Sequence, residues 1–126
     1  MNTKDTKDTK NTEDTKTPPF RFTAKNVFIT IKGHIGEDYI TFINDKFPIK
    51  RWLFCNEVAD KSDPYEHSHV VIEFVKKLNV KNCRVFDFND VHPNFKPVEK
   101  WDAAVVYCMK EGKYKANFDT NKYTVV

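Results

Sequence analysis

The chain has no run of apolar residues near the ~18 that a membrane-crossing helix requires, and its first residues lack the apolar stretch of a secretory signal. No membrane association is expected, and residence inside a cell is. Cysteine is scarce. Cys55, Cys83 and Cys108 are odd in number, far apart and without a C-x-x-C pair, which argues against a disulfide framework or a cysteine zinc site and suits a reducing compartment. An excess of one charge is also missing: 21 basic against 18 acidic residues leave a net charge of +3, compatible with a polyanionic partner but too small to identify one. Aromatics, by contrast, make up 14% of the chain, including eleven Phe. In 126 residues of which 40% are hydrophobic, they can close one domain's core, and disorder throughout is excluded.

Residues 1–17 repeat Thr-Lys-Asp and its variants, with no aromatic and no aliphatic residue after Met1. Nothing there can be buried, so a disordered Thr/Lys/Asp-rich tail is expected, ended by Pro18-Pro19 and followed by one folded domain over 18–126. In residues 25–32, Val27, Ile29 and Ile31 alternate with Asn26, Phe28 and Thr30, the pattern of a central strand. Gly33 and Gly36 break it. Ile40, Ile43 and Phe47 then recur at spacings of three and four, which predicts a helix that Pro48 ends. A second strand is expected over 51–58, a polar loop over 59–64, and a third strand over 67–75. Residues 84–88 read as a fourth short strand, Pro97 as the first residue of a helix reaching Lys110 with Gly112 past its end, and residues 118–126 as an edge strand. That order predicts an α+β domain with a mainly antiparallel sheet.

The chemistry-bearing motif is His67-Ser68-His69. On a strand, side chains two apart share a face, so two imidazoles can grip one divalent ion. Glu57, near the end of the neighbouring strand, can sit beside the pair as an oxygen ligand; Glu111 is the competing carboxylate, and Glu66 points off the histidine face by parity. Imidazole and carboxylate with vacant positions favour Mg²⁺ or Mn²⁺ when a partner brings phosphate oxygens. On the last helix Tyr107, Lys110 and Glu111 share a face with Ala103, while Trp101, Val105 and Cys108 form the apolar stripe. A tyrosine with an ordinary pKa of ~10 needs a nearby cation or base to act as phenolate, and Lys110 can supply that charge. Together these groups suit in-line attack of Tyr107 on a phosphodiester, leaving a phosphotyrosine and a free hydroxyl. The bland alternative is a solvated histidine pair and an amphipathic tyrosine at a helix margin.

Four stretches in order resemble the HUH endonuclease domain of replication-initiation (Rep) proteins of circular single-stranded-DNA viruses, the geminivirus-like group above all. Residues 24–30 (AKNVFIT) resemble the first motif, 67–74 (HSHVVIEF) the metal-binding second motif, and 107–112 (YCMKEG) the third, Tyr-x-x-Lys; residues 84–88 followed by His92-Pro93-Asn94-Phe95 resemble the region before the tyrosine helix. The resemblance implies a five-stranded antiparallel sheet with flanking helices and a Mg²⁺ or Mn²⁺ ion. It further implies cleavage within a stem-loop origin of single-stranded DNA, with Tyr107 joined to the 5′ phosphate. By position His67, His69 and Glu57 fall on the metal ligands, Tyr107 on the nucleophile and Lys110 on the assisting lysine. Phe28 and Thr30, with Lys25 and Asn26, are the expected DNA-binding surface, since single strands are held by aromatic stacking and by basic groups on phosphates. The resemblance also implies the host nucleus and oligomers through regions outside this chain, which carries no G-x-x-x-x-G-K-[ST] motif of the helicase domain found in full-length relatives. Two other functions share these features: a non-catalytic single-stranded nucleic-acid-binding module, and a transposase of the same chemistry.

Overall fold

The computed structural model describes residues 19–57, 65–111 and 113–123. The expected tail over 1–17 and the polar loop over 59–64 lie outside the described residues. In chain order the elements are β1 (Phe22–Lys32), α1 (Glu37–Lys46), β2 (Ile49–Glu57), β3 (His67–Val80), β4 (Asn94–Pro97), α2 (Trp101–Glu111) and β5 (Lys113–Ala116). The strands form one five-stranded sheet in the order β4-β1-β3-β2-β5, every pair antiparallel. The architecture is the expected α+β one.

Period-two alternation divides the sheet into two differently furnished faces. On the first, Val27, Ile29 and Ile31 of β1, Phe54 of β2 and Val70, Ile72 and Phe74 of β3 pack with Tyr39, Ile40 and Ile43 of α1. In β1 the buried positions change from even (Phe22, Ala24) to odd (Val27, Ile29, Ile31), although all join this one core. The change coincides with a register shift against β3 between Ala24 and Asn26. An irregularity there is what keeps both halves of the strand facing inward. Helix α1 begins with Glu37 and Asp38 and ends near Lys46, charges that complement its dipole; the amide of Phe47 donates to the Ile43 carbonyl at 2.9 Å before Pro48 stops the turn.

The second face carries a smaller core: Leu53, Cys55 and Val71 of the sheet against Val105 and Cys108 of α2, closed by Tyr123. The middle of the row His67, His69, Val71, Glu73 therefore does not face water, although half of the row is polar: His69, only 6% exposed, and Val71 are buried against α2, while His67 and Glu73 are half-buried. Arg51 ties this face together. Its Nε donates to Glu73 Oε1 at 2.6 Å, and its guanidinium lies 4.2 Å from the Trp101 ring centroid and 5.5 Å from that of Phe118, a stacked geometry suited to a delocalised cation.

Three elements differ from expectation. Residues 84–88 form no strand. The Asp87 amide donates to the Arg84 carbonyl at 3.0 Å in a tight turn that drives Val85 and Phe86 into the core beneath α1, and their apolar character is satisfied by insertion rather than by pairing. The Tyr39 hydroxyl donates to the Phe86 carbonyl at 2.7 Å and Lys46 Nζ to that of Val85 at 3.0 Å. Burial, with the Asp87 charge adding, pushes the Tyr39 phenol well above the ordinary tyrosine range. Phe88 and Val91 then bridge across Asn89 and Asp90, whose φ values of 50° and 64° are both left-handed, the geometry of a two-residue hairpin turn that Asn and Asp tolerate. Asp87 Oδ1 accepts from His92 Nδ1 at 2.5 Å. That hydrogen bond, ahead of one from Arg84, holds the Asp87 carboxyl below the usual carboxylate range. Pro97 closes β4 instead of opening the helix, at a sheet edge where a missing amide proton breaks no ladder; α2 starts at Trp101. The second edge strand is β5, because the chain turns back directly after α2 to pair Asn56 with Lys113 and Leu53 with Ala116. Phe118 and Tyr123 pack around Trp101, and residues 124–126 lie outside the described residues.

Candidate active site

Antiparallel register assembles the site. β3 sets His67 opposite Glu57 and His69 opposite Cys55 on β2, and opposite Lys32 and Thr30 on β1. Two imidazoles two residues apart and a carboxylate on the adjacent strand end thus share one face. Their ligand atoms lie within 4.8 Å of one another. Glu57 Oε1 is in contact with His67 Nε2 and 3.8 Å from His69 Nε2. His67 Nδ1 lies 3.3 Å from the Tyr65 carbonyl, an acceptor that suits a proton on Nδ1 and would leave Nε2 to ligate a bound ion. His69 Nδ1 lies 3.1 Å from Thr30 Oγ1. Two nitrogens and one oxygen, presented together with partners behind them, fit a divalent cation. Three protein ligands leave coordination positions for a substrate's oxygens.

The opposite face holds the strand ends in register through polar groups that periodicity alone treats as part of an apolar row. Ser68 is fully buried, its hydroxyl 2.6 Å from Asn56 Oδ1 and 2.7 Å from the Gly33 carbonyl. Asn56 also donates to the Ile35 carbonyl at 2.9 Å and accepts from its amide at 3.0 Å. Gly33, at φ 90°, makes the left-handed turn that brings its amide to the Glu66 carbonyl at 2.9 Å. The loop after β1 is thereby pinned to both strands bearing the ligands. His34 Nε2 donates to the Glu57 carbonyl at 3.1 Å. These partners were not legible in the motif; their one signal was polar residues at buried strand parity.

Tyr107 of α2 lies above the sheet, 45% exposed, its ring centroid 5.4 Å from that of His69 and 6.0 Å from that of Phe28. Lys110, one turn further along α2, is exposed. The side chain of Glu111, the competing carboxylate, lies outside the described residues. Glu66 stands 3.9 Å from His34 and outside the cluster of ligand atoms. Between α2 and the β1–β4 edge runs an open cleft of about 770 Å³, lined by Phe28, Thr30, His69, Lys96, Lys100 and Tyr107 among others. Phe28 is half-buried, packed on His69 at 5.4 Å, with Lys96 Nζ 5.6 Å from its ring centroid. Lys96 pairs with Phe28 across the β1–β4 ladder, a neighbour that sequence reading missed because β4 was not recognised as a strand. Lys25 is exposed at the register shift, and Asn26 is half-buried with its carbonyl accepting from the Val98 amide at 2.9 Å.

Among the described residues, no helix is long and apolar enough to cross a membrane. No family model matches the chain. It is similar to Replication-associated protein A of Tobacco yellow dwarf virus (strain Australia), with 28% identity over 115 residues, 87% of this chain and 38% of that protein. The Replication-associated protein of the same virus matches at the same identity, with 34% of its length covered. The Replication-associated protein of Bean yellow dwarf virus is 27% identical over 109 residues, 84% of this chain and 33% of that relative. The chain thus spans little more than a third of the length of the curated relatives it matches. With the antiparallel sheet and the His-His-Glu cluster already described, the chain is homologous over 87% of its length to the replication-associated proteins of geminiviruses.

Proposed function

We propose that this domain initiates replication by nicking and rejoining single-stranded DNA at a stem-loop origin. Tyr107 is the nucleophile, and Glu57, His67 and His69 hold a divalent ion, Mg²⁺ or Mn²⁺. The observation that carries this reading is convergence: three ligand atoms within 4.8 Å of one another, and an exposed tyrosine ring 5.4 Å from one of the imidazoles. Similarity to proteins named replication-associated supports it. A bound ion would withdraw charge from the non-bridging oxygens of a phosphodiester. The Tyr107 oxygen, as phenolate, attacks phosphorus in line with the departing 3′ oxygen. The tyrosine O–P bond forms, the P–O3′ bond breaks, the 3′ oxygen takes up a proton, and the 5′ phosphate stays on the tyrosine. Attack by a 3′ hydroxyl reverses the exchange with no outside energy source. Lys110, one turn from Tyr107, contributes the positive charge that favours phenolate over phenol. We assign DNA contact to Lys25, Asn26 and Phe28 along β1, joined by Lys96: the Phe28 ring suits base stacking and the two ammonium groups suit phosphates. We place its action in the host nucleus, as the resemblance to geminivirus replication proteins implies.

The test is incubation with stem-loop oligonucleotides and Mn²⁺, read as a covalent protein–DNA adduct on a denaturing gel. The adduct is expected for the wild type and absent for Tyr107→Phe or in EDTA. Adduct formation by Tyr107→Phe at the wild-type rate would overturn the nucleophile. DNA binding without cleavage under any divalent metal would mark the domain as a binding module.

A further inference from the structure

Packing and hydrogen bonding divide the task of aiming His69. Its ring is held on three sides, by Phe28 at 5.4 Å, by Tyr107 at 5.4 Å and by His67 at 5.0 Å between centroids. Those contacts fix where the imidazole lies, but apolar and edge contacts do not choose which nitrogen bears the proton. For His67 the acceptor facing Nδ1 is the Tyr65 carbonyl at 3.3 Å. The corresponding neighbour of His69 is a side chain, Thr30 Oγ1 at 3.1 Å, directly across the β1–β3 ladder.

From this geometry we infer that Thr30 is a positioning residue for the metal site: its hydroxyl oxygen accepts the Nδ1 proton of His69 and leaves Nε2 as a lone-pair donor beside Glu57. The inference rests on the metal-site reading above and deepens it. A hydroxyl can accept or donate, unlike a carbonyl. A ring that instead accepted from Thr30 at Nδ1 would carry its proton on Nε2 and could not ligate there, so the bond's polarity decides whether the site has two imidazole ligands or one. It also separates Thr30 from its β1 neighbours, whose assignments concern DNA.

The test is Mn²⁺ titration of the whole chain without DNA, followed by electron paramagnetic resonance of the free ion, with oligonucleotide binding in EDTA as the second measurement. Thr30→Val, which keeps the shape and removes the hydroxyl, is expected to weaken Mn²⁺ binding about 10- to 100-fold. Thr30→Ser, which keeps the hydroxyl, is expected to stay within about threefold of wild type, and DNA affinity in EDTA to hold for both. Melting curves identify a variant that fails to fold, in which case Thr30→Ser against Thr30→Ala supplies the comparison. Wild-type Mn²⁺ affinity in Thr30→Val, with His67→Ala abolishing binding, overturns the positioning role and leaves the metal site standing. Loss of DNA affinity with Mn²⁺ affinity intact makes Thr30 a DNA contact and also overturns it. Failure of the wild type to bind Mn²⁺ removes the metal-site reading and this inference with it.

Discussion

The two faces of the sheet use the same strands for opposite purposes. Toward α1, the residues from β1, β2 and β3 are fully or nearly buried aliphatics and aromatics, whose worth is the area they remove from water. Toward α2, the apolar patch runs from Leu53 to Cys108 and stops at His69, after which imidazoles, a carboxylate, a phenol and lysines take over. A face that must present polar groups at fixed positions cannot also be the main source of stability. The α1 face supplies the rigidity that the α2 face spends on geometry.

The sharpest attack on that contrast is a pair of substitutions, one per face, chosen on the same strand. Ile72→Ala, fully buried on the α1 side, is expected to cost about 2–5 kcal/mol of stability, read by denaturant unfolding. His67→Ala on the α2 side is expected to remove Mn²⁺ binding while changing the metal-free protein's stability by about 1 kcal/mol or less. Equal losses of stability would show that the faces are not divided in this way. A smaller effect belongs to the cleft: Lys96→Ala should weaken single-stranded DNA binding several-fold and lower the salt dependence by about one phosphate contact, with no change in melting. A salt slope unchanged by the substitution would remove Lys96 from the DNA path. The smallest effect concerns the turn beneath α1. Because its hydrogen bond with His92 holds the Asp87 carboxyl below its ordinary range, the folded state favours the carboxylate, a contribution complete above the unfolded pKa of ~3.9 and lost as pH falls through the lower folded value. Asp87→Asn should therefore melt a little earlier than wild type at pH 5–6, with the gap closing toward pH ~2. A gap that persists in acid would assign the loss to shape rather than charge.

Legibility followed the length and periodicity of each segment. Helix α1 and strands β1 to β3 carry several repeats of their own period, so Val27, Ile29, Ile31, Ile40 and Ile43 announce both element and inner face. His67 and His69 were readable as a same-face pair for that reason. The short edges were not. β4 is Asn-Phe-Lys-Pro and β5 is Lys-Tyr-Lys-Ala, too brief and too polar to alternate visibly, and edge strands favour charge and proline because they guard against unwanted pairing. The apolar run at Val85 and Phe86 read as a strand because burial in a turn and burial in a sheet ask for the same side chains.

Local pattern determined that a helix-and-strand domain would form, that two imidazoles would share a face, and that Tyr107 and Lys110 would lie outside the apolar stripe of the last helix. These are consequences of backbone geometry within a few residues. Tertiary structure alone decided that α2 lies over the histidine row, that register sets Glu57 opposite His67 and Thr30 opposite His69, and that Lys96 stands beside Phe28. Such pairings depend on which segments meet across the sheet, and the spacing of residues along one strand carries no information about its neighbour.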